Sequence, residues 1–409
     1  MSTPAWHDGL SLLAERDFAR LFAARLVSAL GTGMTQIALP FAVLNELGGS
    51  GSDVGLVLGV GSAAQVAIQL FGGALADRGS RKRQMVGADL LAGAAQALLA
   101  ALVLAKHGSI GAAVALNLVL GAAFALHFPA SFGLVPLVVP PERLQPANAL
   151  LGIAQHTAMG IGAGVGGLMV AAVGAGGALA VDAATFFASA LLVGGMATAP
   201  QLRAASASLL RELADGFSEF TSHTWLWAIV LQFTVMLMGW FGAWGVVGPV
   251  VANASLGGAA VWGTIVGVQG LGQIAGGALA LRVHIARPML VATLCCLPSA
   301  LIPLLLIFPA PVLALVVAAF GCGIGFEIFI VLWNTALHTR IAPEALSRVS
   351  AYDSVGSIAL VPVGEALAGW GVDRAGAPVT LSWCLAAILV PTLAVLLVRD
   401  VRELRAVET

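Results

Sequence analysis

Long apolar blocks, each interrupted by only a few polar residues, follow one another from Leu21 to Val398. A helical block of about 20 residues crosses roughly 30 Å of hydrocarbon at about 1.5 Å per residue. Twelve blocks reach that length, at 19–45, 54–76, 84–106, 110–135, 147–172, 176–198, 225–251, 259–281, 288–308, 311–335, 350–370 and 378–398. Strands of a membrane barrel are about half as long and alternate in polarity at every second residue, a pattern these blocks lack. The chain is therefore expected to be an all-α membrane protein with twelve transmembrane helices. The first block follows the charged residues Asp8, Glu15, Arg16, Asp17 and Arg20 without a small-residue cleavage site, so it reads as a retained helix rather than a signal peptide.

The longest polar break, 199–224, falls between the sixth and seventh blocks and contains the amphipathic run Leu209 to Phe220. It predicts an N-terminal six-helix bundle over 1–198, a linker over 199–224 and a C-terminal six-helix bundle over 225–409. Two segments recur across that break. Gly72-Gly73-Ala74-Leu75-Ala76-Asp77-Arg78 returns as Gly276-Gly277-Ala278-Leu279-Ala280-Leu281-Arg282 at an offset of 204, and Pro141-Glu142-Arg143-Leu144 returns as Pro343-Glu344-Ala345-Leu346 at an offset of 202. Two matches at nearly one offset, both after equivalent helices, point to a duplicated chain with pseudo-symmetric halves. Repeated halves are how secondary transporters place a site near the bilayer midplane and expose it to either side in turn.

Composition agrees with lipid as the main solvent: 59% of the residues are hydrophobic and 10% charged, against about 25% charged in soluble domains. Lys and Arg mark the cytoplasmic loops. With the N-terminus inside, 17 of the 19 lie on the cytoplasmic side, from Arg16, Arg20 and Arg25 to Arg399, Arg402 and Arg405, and only Lys106 and Arg374 fall outside. Both termini are accordingly expected in the cytoplasm, with the protein in the cell (inner) membrane. A net charge of −1 gives no ground for a nucleic-acid partner. Cys295, Cys296, Cys322 and Cys384 all lie within spans and read as small packing residues.

Several motifs carry a resemblance. Gly73-Ala74-Leu75-Ala76-Asp77-Arg78-Gly79-Ser80-Arg81-Lys82 resembles the signature loop between helices 2 and 3 of the major facilitator superfamily, with Ser80 at its usual second glycine. Phe128-Pro129-Ala130, Pro136, Arg143-Leu144 and Ala147-Asn148-Ala149-Leu150 are similar to the helix 4 to helix 5 pattern of its twelve-helix drug:proton antiporters, the group with macrolide-efflux and siderophore-export proteins. Asp182-Ala183-Ala184-Thr185-Phe186 and Trp333-Asn334-Thr335 match that group as well, so the resemblance runs from about Phe18 to Val398. It implies a conformational latch of Gly73, Asp77, Arg78, Arg81, Lys82 and Asp89, whose charge-assisted bonds hold one state and break when the halves rock. Three departures stand out. Ala163 replaces the antiporter proline in the glycine run Ala158 to Gly167, Asn117 stands where many relatives have an arginine, and Thr32 where many have an acid.

Ionisable residues inside spans are costly and point to function; the candidates are Asp89, His127, His156, Asp182, Glu327 and Glu365. His156, beside Gly160 on a packing helix, reads as a satisfied core histidine. Glu327 leads as the proton-coupling carboxylate, because it lies near the middle of the tenth span and is pseudo-symmetric with His127 at an offset of 200. His127, Asp182 and Glu365 are the further proton candidates. A static Glu327–His127 pair is the competing reading. By family architecture the cargo cavity draws on helices 1, 4, 7 and 10. Ser28, Thr32, Thr35 and Gln36 share one face of helix 1, and Gln232, Met236 and Trp240 share one of helix 7; Asn117 and Asn334 complete the candidates. Such a mixture suits bulky, mostly apolar ligands, and helix packing with polar groups as glue is the alternative.

No nucleophile–base pair, metal-ligand cluster or phosphate loop is visible in the sequence, so neither an enzyme nor an ATP-driven pump is expected, and no cofactor or metal. The reading is a proton-coupled exporter of amphiphilic drugs or natural products, acting as a monomer with small amphiphilic substrate, protons and membrane lipid as partners. A carrier of lysophospholipid, siderophore or sugar is the alternative, followed by a non-transporting receptor or membrane enzyme.

Overall fold

The computed structural model describes residues 11–78, 80–197, 209–280, 282, 285–308 and 310–405. Each predicted span becomes a helix, since a backbone in hydrocarbon must satisfy its own hydrogen bonds. In chain order these are α1 (Arg16–Phe41), α2 (Gly51–Arg78), α3 (Arg81–Leu104), α4 (Ile110–Val138), α5 (Leu144–Val173) and α6 (Ala175–Gly194). The second half contributes α7 (Thr224–Phe241), α8 (Ala259–Ala280), α9 (Pro288–Ile307), α10 (Val312–Arg340), α11 (Pro343–Ile358 and Val361–Ala375) and α12 (Ala377–Val395). Among the described residues, eleven helices are long and apolar enough to cross a bilayer. The twelfth, α8, is made less apolar by Gln269 and Gln273, yet its 22 residues reach about 33 Å at 1.5 Å per residue.

The duplication read from the sequence extends to backbone conformation. Helices α4 and α10 are both 29 residues long, and their ends correspond from 110 to 312 and from 138 to 340, 202 in each case. Gly174 before α6 has φ 84° and Gly376 before α12 has φ 82°, again 202 apart; a side chain at either would be strained there. The first helix of each half also loosens into a π turn, Ala42–Glu46 after α1 and Gly242–Val247 after α7. Prolines account for two further breaks that periodicity does not predict. Pro298 interrupts α9 with a 3-10 turn over Leu297–Ala300, and Pro362 follows the gap in α11, because proline lacks the N–H that a helix interior needs.

The chain divides into two compact units. The first comprises Met1–Gly49, Val60–Ala205 and Gly258–Gly267, and the second Ser50–Gly59, Ser206–Gly257 and Val268–Thr409. The opening turns of α2 and α8 thus each belong with helices of the other sequence half.

Unit 1 has a core of Phe18, Leu21, Met85, Leu134, Leu151 and Val193. Lipid tails are as apolar as leucine, so close packing and polar contacts hold such helices together. The glycine run of α5 provides the close packing: a Cβ at Gly166 would stand 2.7 Å from Met34 Cα on α1, and one at Gly263 of α8 would stand 2.9 Å from Gly167 Cα. Glu46 caps α6, accepting from the Gly176 amide at 3.2 Å and from the Ala175 amide.

In unit 2, the Asp373 carboxylate accepts from the amides of Gly51 (3.1 Å) and Ser52 (2.8 Å), holding the start of α2 against α11 with the carboxylate at the positive end of the helix. The amphipathic helix Leu209–Ser222 lays Phe217 and Phe220 against Tyr352, with ring centroids 5.7 and 6.0 Å apart.

Candidate functional site

Asp182, on α6, is a deeply buried carboxylate of unit 1, 1% exposed. Its Oδ2 accepts from Thr35 Oγ1 of α1 (2.7 Å) and from Gln96 Nε2 of α3 (2.8 Å), while Thr185 Oγ1 donates to Oδ1 at 3.3 Å. The Gln96 amide also donates to Thr35 Oγ1 at 2.6 Å. Every donor is neutral, and no Lys, Arg or His among the described residues pairs with this acid. Gln96 is wholly buried, and its Oε1 has no hydrogen-bond partner among the described residues. Room for the carboxylate comes from Gly31, where a Cβ would overlap Asp182 Oδ1 and Thr185 Oγ1.

A second buried acid, Asp89 of α3, is arranged differently. His127 Nδ1 lies 2.6 Å from its Oδ1, and Ser189 Oγ donates to Oδ2 at 2.6 Å. The histidine paired by pseudo-symmetry with Glu327 thus has its close acidic contact with Asp89 on the neighbouring helix. In the loop region, Arg81 Nη1 donates to the Gly133 carbonyl at 2.7 Å and Lys82 Nζ to the Met196 carbonyl at 2.6 Å. The side chains of Gly73, Asp77 and Arg78 lie outside the described residues.

In unit 2, Glu327 lies against the repeated glycine pair of α8, with a Cβ at Gly276 placed 3.0 Å from Glu327 Cβ and one at Gly277 placed 3.8 Å from Oε1. Glu365 is 4% exposed on α11. Gln232, Met236 and Trp240 are all buried: Gln232 Nε2 donates to Thr392 Oγ1 at 3.2 Å, and Trp240 stacks on Trp244 at 4.7 Å with Phe326 edge-on at 5.1 Å. A longer aromatic series runs from Trp225 through Trp333 and Phe329 to Phe233.

A model of the Major Facilitator Superfamily matches residues 21–361 of this sequence. The chain belongs to that superfamily. An uncharacterized MFS-type transporter, YkuC of Bacillus subtilis (strain 168), is 29% identical over 185 residues, which is 45% of this chain and 42% of that relative. The match therefore spans less than half of YkuC. Among solved structures, the nucleoside transporter NupG superposes with a TM-score of 0.74 at 14% identity, covering 93% of this chain and 99% of NupG. A POT family transporter in complex with 5-aminolevulinic acid gives 0.72 at 13% identity, with 94% and 96% covered. A bacterial homolog of the human lysosomal transporter Spinster gives 0.63 at 14% identity, with 97% and 95% covered. At such identities the likeness is one of fold.

Within the superfamily fold, the face of α1 assigned to cargo divides. Thr35 is committed to Asp182, Thr32 Oγ1 donates to the Ser28 carbonyl at 2.9 Å, and Gln36 remains exposed. Asn334 of α10 is exposed, and Asn117 of α4 is buried beside Gly61. Two ionisable residues escaped the sequence reading. Asp353 accepts from Trp333 Nε1 at 2.9 Å and from Ser357 Oγ at 3.4 Å. Arg25, expected among the loop cations, is instead 7% exposed inside α1, which leaves sixteen of the 19 Lys and Arg as expected loop-side cations. Asp353 sits at the start of its predicted span and Arg25 falls among the flanking basic residues, so neither is singled out by the sequence as an ionisable group within a span.

Proposed function

We propose that this superfamily transporter exports amphiphilic drugs or natural products by alternating access, driven by protons, with Asp182 as the carboxylate that gains and loses the proton. The supporting observation is an acid sealed among neutral donors. An ionised carboxylate without a counter-charge is costly in such surroundings, and a proton removes the cost. Gln96 fits both states. Its amide nitrogen donates to the carboxylate; after a half-turn its oxygen stands in that place and accepts from the carboxylic acid, the two ends of an amide being similar in shape. Since Thr35, Gln96 and Asp182 come from α1, α3 and α6, a change at one oxygen bears on three helices. Glu327, His127 and Glu365 are the further candidates for the proton path.

The test is flux through reconstituted proteoliposomes carrying an imposed pH gradient, with a panel of apolar dyes, lysophospholipids, siderophores and sugars. Gradient-dependent movement of the dyes is the expected result. Movement of sugars alone would replace the cargo assignment, and flux indifferent to the gradient would remove the proton.

We place both termini and the 199–224 linker in the cytoplasm, in the cell membrane, on the ground that sixteen Lys and Arg residues fall on that side. In a cysteine-free background, Ser50→Cys should react with an impermeant maleimide added to intact cells and Ser206→Cys should not. The opposite pattern inverts the topology.

A further inference from the structure

Arg25 lies nine residues into α1, about 13 Å along the helix axis. Its Nε donates to Ser131 Oγ of α4 at 2.7 Å, and its guanidinium carbon stands 4.6 Å from the centroid of the Phe132 ring. No carboxylate among the described residues pairs with it. Asp182 and Asp89 are occupied by Thr35, Gln96 and Thr185, and by His127 and Ser189. A buried guanidinium held by one hydroxyl and one ring face is under-compensated: the cation–π contact offsets only part of the cost of removing the charge from water. With Nε fixed by Ser131, both Nη groups remain for a ligand, and neither is among the polar atoms sealed without a partner. Beside the charge, Phe132 and Phe128 are each 48% exposed and their rings lie 4.7 Å apart.

We infer that Arg25, oriented by Ser131 and Phe132, binds the carboxylate or phosphate group of an amphiphile whose apolar body lies on Phe128 and Phe132. The chemistry follows from the fork of Nη donors, which matches a carboxylate or phosphate oxygen pair, and from an apolar surface adjoining it. This inference rests on the amphiphile reading above and narrows it to acidic members of that class. The same group can arrive on a cargo molecule or on an anionic lipid.

The test uses the full-length protein in phosphatidylcholine nanodiscs, with dodecyl phosphate as the probe and dodecyltrimethylammonium as its cationic counterpart, read by calorimetry and thermal shift. Dodecyl phosphate should bind wild-type protein and raise its Tm, and Arg25→Gln should weaken that binding by about 10- to 100-fold, as expected for charge-assisted bonds. Arg25→Lys, with the charge but not the fork, should fall between, and dodecyltrimethylammonium should bind the variants alike. Without ligand, Arg25→Gln should melt no lower than wild type, since it removes an under-compensated charge; an arginine with a purely structural role would leave a less stable protein. If Arg25→Gln does not yield monodisperse protein, Ser131→Ala reads the same site through its loss of orientation. Adding phosphatidylglycerol to the nanodiscs separates the sources: competition with dodecyl phosphate assigns the anion to a lipid headgroup, no competition assigns it to cargo, and both support the site. Equal dodecyl phosphate affinity in wild type, Arg25→Gln and Arg25→Lys overturns it. Arg25-dependent binding without gradient-driven flux would leave the site standing and remove the transport reading, whereas flux with charge-indifferent binding would overturn the site alone.

Discussion

Asp182→Asn should abolish gradient-driven transport while leaving downhill exchange of cargo largely intact. The amide has the size of the acid and can still accept from Thr35 Oγ1, now 2.7 Å away, and from the Gln96 amide at 2.8 Å, so the contacts among α1, α3 and α6 survive. Titration does not. An antiporter without its titrating group equilibrates cargo in both directions but cannot draw work from the proton gradient, because only a step that differs between the protonated and deprotonated states couples the two fluxes. In the uphill assay the loss should be complete to within background, and counterflow of labelled cargo should stay within about threefold of wild type, a change of well under 1 kcal/mol in any barrier. Gln96→Leu should reduce uphill transport as well, since it removes the group that serves both charge states. If Asp182→Asn retains uphill transport and Glu327→Gln loses it, the coupling carboxylate is Glu327, lying against Gly276 and Gly277 of α8. Loss of both fluxes in Asp182→Asn would indicate a folding defect, which monodispersity of the purified variant would reveal.

How far the sequence discloses this arrangement depends on the kind of constraint. The bilayer dictates helix length residue by residue, so the twelve blocks are visible in hydropathy alone, and duplication leaves paired motifs that the backbone repeats down to Gly174 and Gly376. Breaks within helices are less legible. Pro298 and Pro362 mark two of them, but the π turn over Gly242–Val247 itself contains no proline. The buried acids were legible as isolated charges in apolar runs. Their partners were not, because those come from other helices. Pseudo-symmetry relates His127 to Glu327 by position, while His127 in fact lies 2.6 Å from Asp89. Thr35 stood out as a polar residue on a helix face, but spacing along α1 cannot reveal that Asp182 of α6 takes its hydroxyl, nor that Gln96 joins them. Gln232 and Met236 show the same limit: a stripe at helical spacing serves a cavity or a core equally well, and here both residues are buried, with Gln232 bonded to Thr392.

Gly31→Ala should disrupt the Asp182 cluster, and its cost should depend on the atoms it displaces. The added methyl would overlap Asp182 Oδ1 and Thr185 Oγ1, neither of which can withdraw without giving up a bond in the cluster. Overpacking of this kind costs about 1–3 kcal/mol, and pushing the carboxylate off Thr35 and Gln96 adds about 1–3 kcal/mol for each buried donor left unsatisfied. A wild-type protein carrying Gly31→Ala should therefore melt several degrees lower and lose uphill transport. In a background of Asp182→Ala with Thr185→Ala the two overlapping atoms are gone, and the nearest contact left is the residue 185 Cβ at 3.1 Å, which a shift of a few tenths of an ångström relieves. There the same methyl fills space beside α6, and alanine exceeds glycine in helix propensity by about 1 kcal/mol. The effect of Gly31→Ala on Tm should accordingly fall to zero or reverse, a coupling at or above the usual range of about 0.5–3 kcal/mol for residues in contact. An equal loss of Tm in both backgrounds would mean that Gly31 serves the helix itself or another neighbour, and that the room around Asp182 is not its purpose.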